Sequence, residues 1–356
     1  MTGKNTYVRG IHILTGMAAI IIIIAGVNLA QSVVVLLLIS IFLALIGTPT
    51  VLWLERKHIP SLASVAIVVT IMVIVLLMIG ALVGTSLKSF SDALPLYQLR
   101  IQEQITELET MLTSKGVTGT DKIVLKYVNP ETVMSLTASL LADLSSTLSN
   151  IVLILLTVIF ILLEVSSFPV KLRAVLGNPE AVFPRFSKFV IDIRHYLVIT
   201  TLINLTAGIL IWGWLSILGV QYPILWGFLV FLLHYIPNIG AIIAAIPAVI
   251  LALIQLGPGG ALSVAAGYFL VGFILGNVIQ PKLMGRRLGL STLVVFLSLL
   301  FWGNLLGLVG AVLSIPLTMT LKFAFESNEG TKWIAILLGP ENLPTVKLSV
   351  PNKEKK

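Results

Sequence analysis

The feature that most constrains this chain is its series of long, unbroken apolar runs. Runs over roughly 11–30, 32–54, 61–86, 148–164, 195–219 and 261–280 carry almost no charge. About 20 apolar residues in a helix cross the hydrocarbon core of a bilayer. These runs do not alternate apolar with polar every second residue, so they are helices rather than barrel strands. Hydrophobic residues make up 57% of the sequence and charged residues 11%, far from the quarter charged of a soluble domain. The chain is therefore expected to be an all-α polytopic membrane protein.

Charge sets an orientation. The excess of Lys and Arg, a formal +8, matches the positive cytoplasmic loops of membrane proteins and does not imply nucleic acid. Arg56 and Lys57 mark one cytoplasmic turn. Lys171, Arg173, Arg185, Lys188 and Arg194 mark a second, "PKLMGRRLG" (281–289) a third, and the tail "NKEKK" a fourth. Lys4 and Arg9 before the first run resemble a signal peptide, but the run is long enough to remain as a span. Both termini are expected in the cytoplasm. Residues 87–148 carry more acidic than basic side chains, and Ile101, Ile105, Leu108 and Leu112 form a helical stripe. With "NPET" (129–132) as a helix start, this stretch predicts a pair of extracytoplasmic amphipathic helices. The expected divisions are 1–86, N-terminal transmembrane helices; 87–148, the insert; 149–325, a transport domain; and 326–356, a cytoplasmic tail.

Parity then exposes two anomalous segments. Residue 220 should lie outside and 282–287 inside, with a clean span at 261–280 between them. Residues 222–254 must therefore begin and end outside, although their helical length of about 50 Å is too great for one ordinary crossing. Residues 291–322 must likewise begin and end inside. Each is expected to be a broken, re-entrant-like helical hairpin. "ILWGFLVFLLHYIPNIGAIIAAIP" (224–247) and "LVVFLSLLFWGNLLGLVGAVLSIP" (293–316) also resemble one another. Both have an apolar arm, an aromatic, a breaker with Asn, a Gly-Ala pair and an Ile-Pro. Entering from opposite sides, they suggest an inverted-topology repeat. A Pro or Gly in mid-membrane frees backbone polar groups, which are tolerated only in a protein interior or beside a cavity. The breaks are the expected binding site.

The segments "HYIPNIGAIIAAIP" and "NVIQPKLMGRRLGLSTLVVFLSLLFWGNLLGLVGAVLSIPLT" (277–318) resemble the autoinducer-2 exporter family of bacterial permeases, close to its transport-of-quorum-sensing-signal branch. The resemblance extends over the whole chain. It implies a bacterial inner-membrane protein that exports autoinducer-2. It also implies a homo-oligomer, with a pentamer as the expectation, in which part of each protomer moves as an elevator. His234 stands where Asn is usual in the family, and Gln280 where Glu is common.

Autoinducer-2 is small, rich in hydroxyls and essentially uncharged, so its site needs hydrogen-bonding groups rather than a charge clamp. Asn238 and Asn304, one at each break, are the leading candidates. His234, Asn204, Asn277, Gln280 and Ser314 could add donors and acceptors, and Pro237, Gly240 and Gly310 would shape the backbone. The alternative reading is a Na⁺(Li⁺)/H⁺ antiporter. It would ordinarily need an intramembrane carboxylate, and the spans offer only the end-placed Glu164. No Cys is present, the four His are not at metal-ligand spacing, and no nucleotide-binding loop or intramembrane protease motif occurs. No enzyme activity, metal, cofactor or nucleic-acid partner is expected.

Overall fold

The computed structural model describes residues 3–114, 139, 150–165, 171, 179–237, 239–284, 289–327 and 330–340. Among them the chain is helical, without a β-strand. Helices α1 (Gly3–Leu29) and α2 (Gln31–Arg56) are separated only by Ala30. Helix α3 (Ser61–Ser114) is 54 residues long, about 80 Å at 1.5 Å per residue. It runs without interruption past position 86, so the first amphipathic helix of the insert continues the membrane helix. The helix start expected at Asn129 lies outside the described residues, as do Arg286, Arg287 and the tail from 341.

Helices α2, α3 and α4 (Ile151–Val165) form one bundle around Val51, Val65, Val158 and Leu162. In a bilayer the apolar effect does little to join helices, so packing and interhelical hydrogen bonds matter more. Here the Ser40 hydroxyl is shared between its own helix, at Leu36 O (2.8 Å), and α4, at Ile154 O (3.2 Å).

The second body begins with α5 (Pro179–Leu218), which packs along α6 (Pro223–Leu233). A Cβ built on Gly208 or on Gly227 would lie 2.7 Å from the other residue's carbonyl oxygen, so these two helices cross backbone to backbone. Helix α6 has 11 residues, about 16 Å of helix, which is half of a hydrocarbon core. The chain turns from His234 to Pro237 and continues as α7 (Gly240–Phe273), which packs back on α6. Gly257, at φ 74° and ψ −171°, breaks α7 into a hairpin arm and a following span. That span passes through a π-helical turn, Ile274–Ile279, into α8 (Gln280–Met284).

The last elements are α9 (Thr292–Val312), α10 (Ser314–Glu326) and α11 (Lys332–Leu337). Gly307 breaks α9 at φ 66°, ψ −150°. The Trp302 indole N–H donates to Thr318 Oγ1 at 3.1 Å. In a continuous helix those residues would stand about 24 Å apart, so the chain folds back between them. Residues 222–254 and 291–322 are both helical hairpins.

Among the described residues, five helices are long and apolar enough to cross a membrane. Their exposed faces carry large apolar side chains such as Ile22, Leu77, Leu153, Leu262 and Leu293, as a lipid-facing or subunit-facing surface requires.

Candidate functional site

The first hairpin tip closes through short-range backbone bonds to the end of α6 and through side-chain ties to α5. His234, Ile236 and Gly240 N–H groups bond to Val230, Leu233 and Ile236 carbonyls at 2.9, 2.8 and 3.1 Å, and Ile239 N–H to Pro237 O at 2.7 Å. A Cβ on Gly240 would lie 1.7 Å from Leu233 O, so only glycine fits the closing turn. Two side chains tie the tip to α5. Asn204, 1% exposed, donates to Thr200 O (3.1 Å) and accepts from Tyr235 N–H (3.2 Å) when its amide is oriented to satisfy both. Tyr235 OH pairs with Thr201 Oγ1 at 2.7 Å, and its ring meets Phe42 of α2 edge-on at 5.8 Å.

Below this tip lies a cavity of about 560 Å³, within the range of small-molecule sites. One wall is α5, with Tyr196 and Thr200. A second is the tip and the following arm, His234 to Pro237, Ala241 and Ala245. A third runs along the post-Gly257 span from Ala265 and Tyr268 through Gly272 and Gly276 to Asn277 and Gln280. Leu290, Thr292, Val295 and Ile315 close the remaining side. Small residues on the two facing helical walls create the volume. Asn277 enters from the π-helical turn, a local widening found often at functional sites. None of the described lining residues is Asp, Glu, Lys or Arg. The cavity can hydrogen-bond a neutral molecule, but it offers no full opposite charge to an ion.

The structure brings His234, Pro237, Asn277 and Gln280 together on this cavity, with Gly240 at its turn. Asn204 lies behind the tip and spends its amide on backbone groups. Asn238 lies outside the described residues. The second hairpin is arranged differently from the shared midplane site expected of the two breaks. Asn304 is exposed on α9 and does not line the cavity, and neither Gly310 nor the buried Ser314 does. The reason is geometric. Only the base of the second hairpin reaches the cavity, while its break at Leu306–Val309 abuts Gln31, Ser32 and Asn150 across a separate cavity of about 330 Å³. Sequence reasoning also missed Tyr196, Thr200, Tyr235 and Tyr268. Within apolar runs the tyrosines read as filler, though a phenol embedded in a span is itself a signal, because a buried Tyr hydroxyl usually needs a partner.

Long apolar spans, helical hairpins and a cavity lined by apolar and uncharged polar groups at one break describe a polytopic membrane protein with room for a small uncharged molecule. The comparisons with known proteins agree. The model for the AI-2E family transporter matches residues 17–329. The AI-2 transport protein TqsA of Escherichia coli K12 is 38% identical over 94% of this chain and 97% of its own. The putative transport protein YhhT of the same organism is 37% identical over 93% and 95%. A putative transport protein of Haemophilus influenzae is 38% identical over 92% and 95%. The chain belongs to the AI-2E transporter family, whose members are permeases and not enzymes.

Proposed function

We propose that this protein exports autoinducer-2, or a similarly small uncharged hydroxylated molecule, across the bacterial inner membrane. Its cargo occupies the cavity beneath the first hairpin tip. The single observation that carries the reading is the lining: tyrosine, histidine, threonine and amide groups at a helix break, with no charged side chain among the described residues. Such a site suits a neutral oxygen-rich molecule better than a proton-exchanged cation. The carboxylate near the end of α4, Glu164, is engaged with Lys171 at an exposed position. The similarity to a protein named for AI-2 transport supports the same cargo.

The hairpins also support an inverted repeat. Gly240 closes on Leu233 O as Gly310 closes on Trp302 O, where added Cβ atoms would approach to 1.7 and 2.0 Å. One closing glycine thus sits in each half, each against a carbonyl of the preceding arm. On this reading the hairpins of each protomer move as an elevator against the α2–α3–α4 bundle. The protomers form a homo-oligomer, a pentamer in our proposal, with both termini in the cytoplasm.

The test is autoinducer-2 flux in proteoliposomes, with and without pH or Na⁺ gradients. Flux of autoinducer-2 by the wild type supports the reading. A wild type that moves none, yet dissipates a Na⁺ or pH gradient, replaces it with the antiporter.

A further inference from the structure

Residues 289–291 are the irregular stretch that enters α9, and Leu290, with the following Thr292, lines the large cavity. Irregular backbone lacks the bonds a helix makes to itself, so its polar groups must be held by other parts of the chain or by water. Two ties reach this stretch from elements later in the sequence. Ser291 N–H bonds to Leu338 O, just after α11, at 3.1 Å. The Lys322 ammonium of α10 donates to Gly289 O at 2.6 Å. Gly289 has φ 59°, and a Cβ added there would lie 3.2 Å from Lys322 Nζ. A glycine suits both the turn and the approach of the ammonium.

A lysine on a surface helix ordinarily lays its stem along apolar neighbours and keeps its ammonium in water. The Lys322 side chain is only 18% exposed. Its second partner is Glu326, one turn further along α10, at 3.5 Å and 52% exposed. The bond to Gly289 is the shorter, and a hydrogen bond with one ionised partner is roughly twice as strong as a neutral one. Lys322 itself does not line the cavity. Leu290, next to the tethered carbonyl, is 8% exposed and belongs to the same small core as Tyr196 and Ile315, which line the cavity with it. Any effect of Lys322 on a bound molecule must therefore pass through the Leu290 wall.

We propose that Lys322 is a positioning residue of the cavity: by holding Gly289 O it fixes the 289–291 stretch and so sets Leu290 as a wall of the cargo site. This deepens the transport reading above and rests on it. The cation acts from outside the cavity, so the site keeps its uncharged lining while a charge-assisted bond gives one wall its place.

The experiment uses the full-length protein in proteoliposomes and has two readouts. The first is the KM and kcat of autoinducer-2 flux. The second exploits the absence of Cys from the chain: a single Leu290→Cys reports, by its labelling rate with a water-soluble maleimide, how firmly this wall is held. Lys322→Met keeps a long apolar stem and removes the ammonium. It should raise KM roughly fivefold with kcat little changed, the pattern of lost binding, and should label Leu290→Cys roughly tenfold faster, as local opening exposes it. Lys322→Arg, which keeps a charged donor, should recover most of both. Glu326→Gln breaks only the ion pair and should match the wild type in both. In a Leu290→Ala background Lys322→Met should add nothing further to KM, because the two act as one unit. An unchanged labelling rate in Lys322→Met overturns the tether. Faster labelling with an unchanged KM overturns the role at the cargo site, and so does an equal KM rise in the Leu290→Ala background. Equal effects from Glu326→Gln assign the effect to the ion pair and also overturn it. If the wild type moves no autoinducer-2, the transport reading fails separately. The labelling rates then decide alone whether Lys322 sets this wall: a tenfold rise upholds it, and an unchanged rate overturns it.

Discussion

Trp302 and Thr318, sixteen residues apart in sequence, are joined across the second hairpin by a hydrogen bond of 3.1 Å from indole nitrogen to hydroxyl oxygen. Thr318 is buried, so the bond lies inside the hairpin rather than on its surface. Thr318→Val keeps the shape and strands the indole N–H. It is expected to lower stability by about 1–3 kcal/mol. A double-mutant cycle with Trp302→Phe should recover part of that loss, because both polar partners are then absent. Thermal unfolding of the four proteins measures it; strictly additive losses would show that the pair is not coupled.

The closing glycines make a harder prediction. A Cβ on Gly240 or Gly310 would press on a backbone carbonyl, which no rotamer change can relieve. Gly240→Ala and Gly310→Ala should therefore fall at the severe end of point substitutions, about 4 kcal/mol or more. Gly213→Ala is the control, because nothing lies within 4 Å of its added Cβ. On a helix it should be neutral or slightly stabilising. Yields of folded, monodisperse protein decide the matter, and a well-folded Gly240→Ala would contradict the turn geometry.

Asn204 and Asn304 should behave oppositely. Asn204→Leu removes the side-chain acceptor of Tyr235 N–H and the donor to Thr200 O, loosening the hairpin tip. Its expected effect is a stability loss of about 1–3 kcal/mol accompanied by reduced transport. Asn304→Ala, at an exposed position, should change stability by no more than about 0.5 kcal/mol. Melting temperatures and flux in proteoliposomes test both. Retained transport and stability in Asn204→Leu would remove its bracing role.

Beyond the apolar part of α3, Tyr97 donates its hydroxyl proton to Gln221 Oε1 in the loop that leads into α6. Burial, and then the hydrogen-bonded neighbour Tyr222, push its phenol up to about 12 from an ordinary 10.0. The folded state thus holds this proton more tightly than the unfolded chain. The associated stability is complete below pH 10 and is lost as pH rises from 10 through about 12. The melting-temperature gap between wild type and Tyr97→Phe should be constant up to pH 10 and shrink above it. A gap that stays constant up to pH 12 would exclude the raised value.

The helices were legible because long apolar runs leave the backbone only one way to satisfy its own hydrogen bonds in lipid. The breaks near Pro237 and Gly307 were legible for a related reason, since Pro and Gly act on their own turn of backbone. Position 86 was less legible: an apolar helix that turns amphipathic changes its surroundings, and nothing in that change stops a helix. Among the site residues, His234, Pro237, Asn277 and Gln280 could be picked out as polar or breaking residues within apolar surroundings. Tyr268 could not, because a phenol without a partner differs from a satisfied one only in what stands opposite it.

The sequence by itself determined that this chain is a helical membrane protein of the AI-2E family with two broken hairpins, because spans and breaks are written in local composition. Tertiary structure alone decided that Asn204 braces the first tip, that Asn304 lies away from the large cavity, and that the buried Tyr268 hydroxyl has no partner among the described residues. Those relationships depend on how helices distant in sequence cross, as at Gly208 and Gly227, and on which faces that crossing brings together.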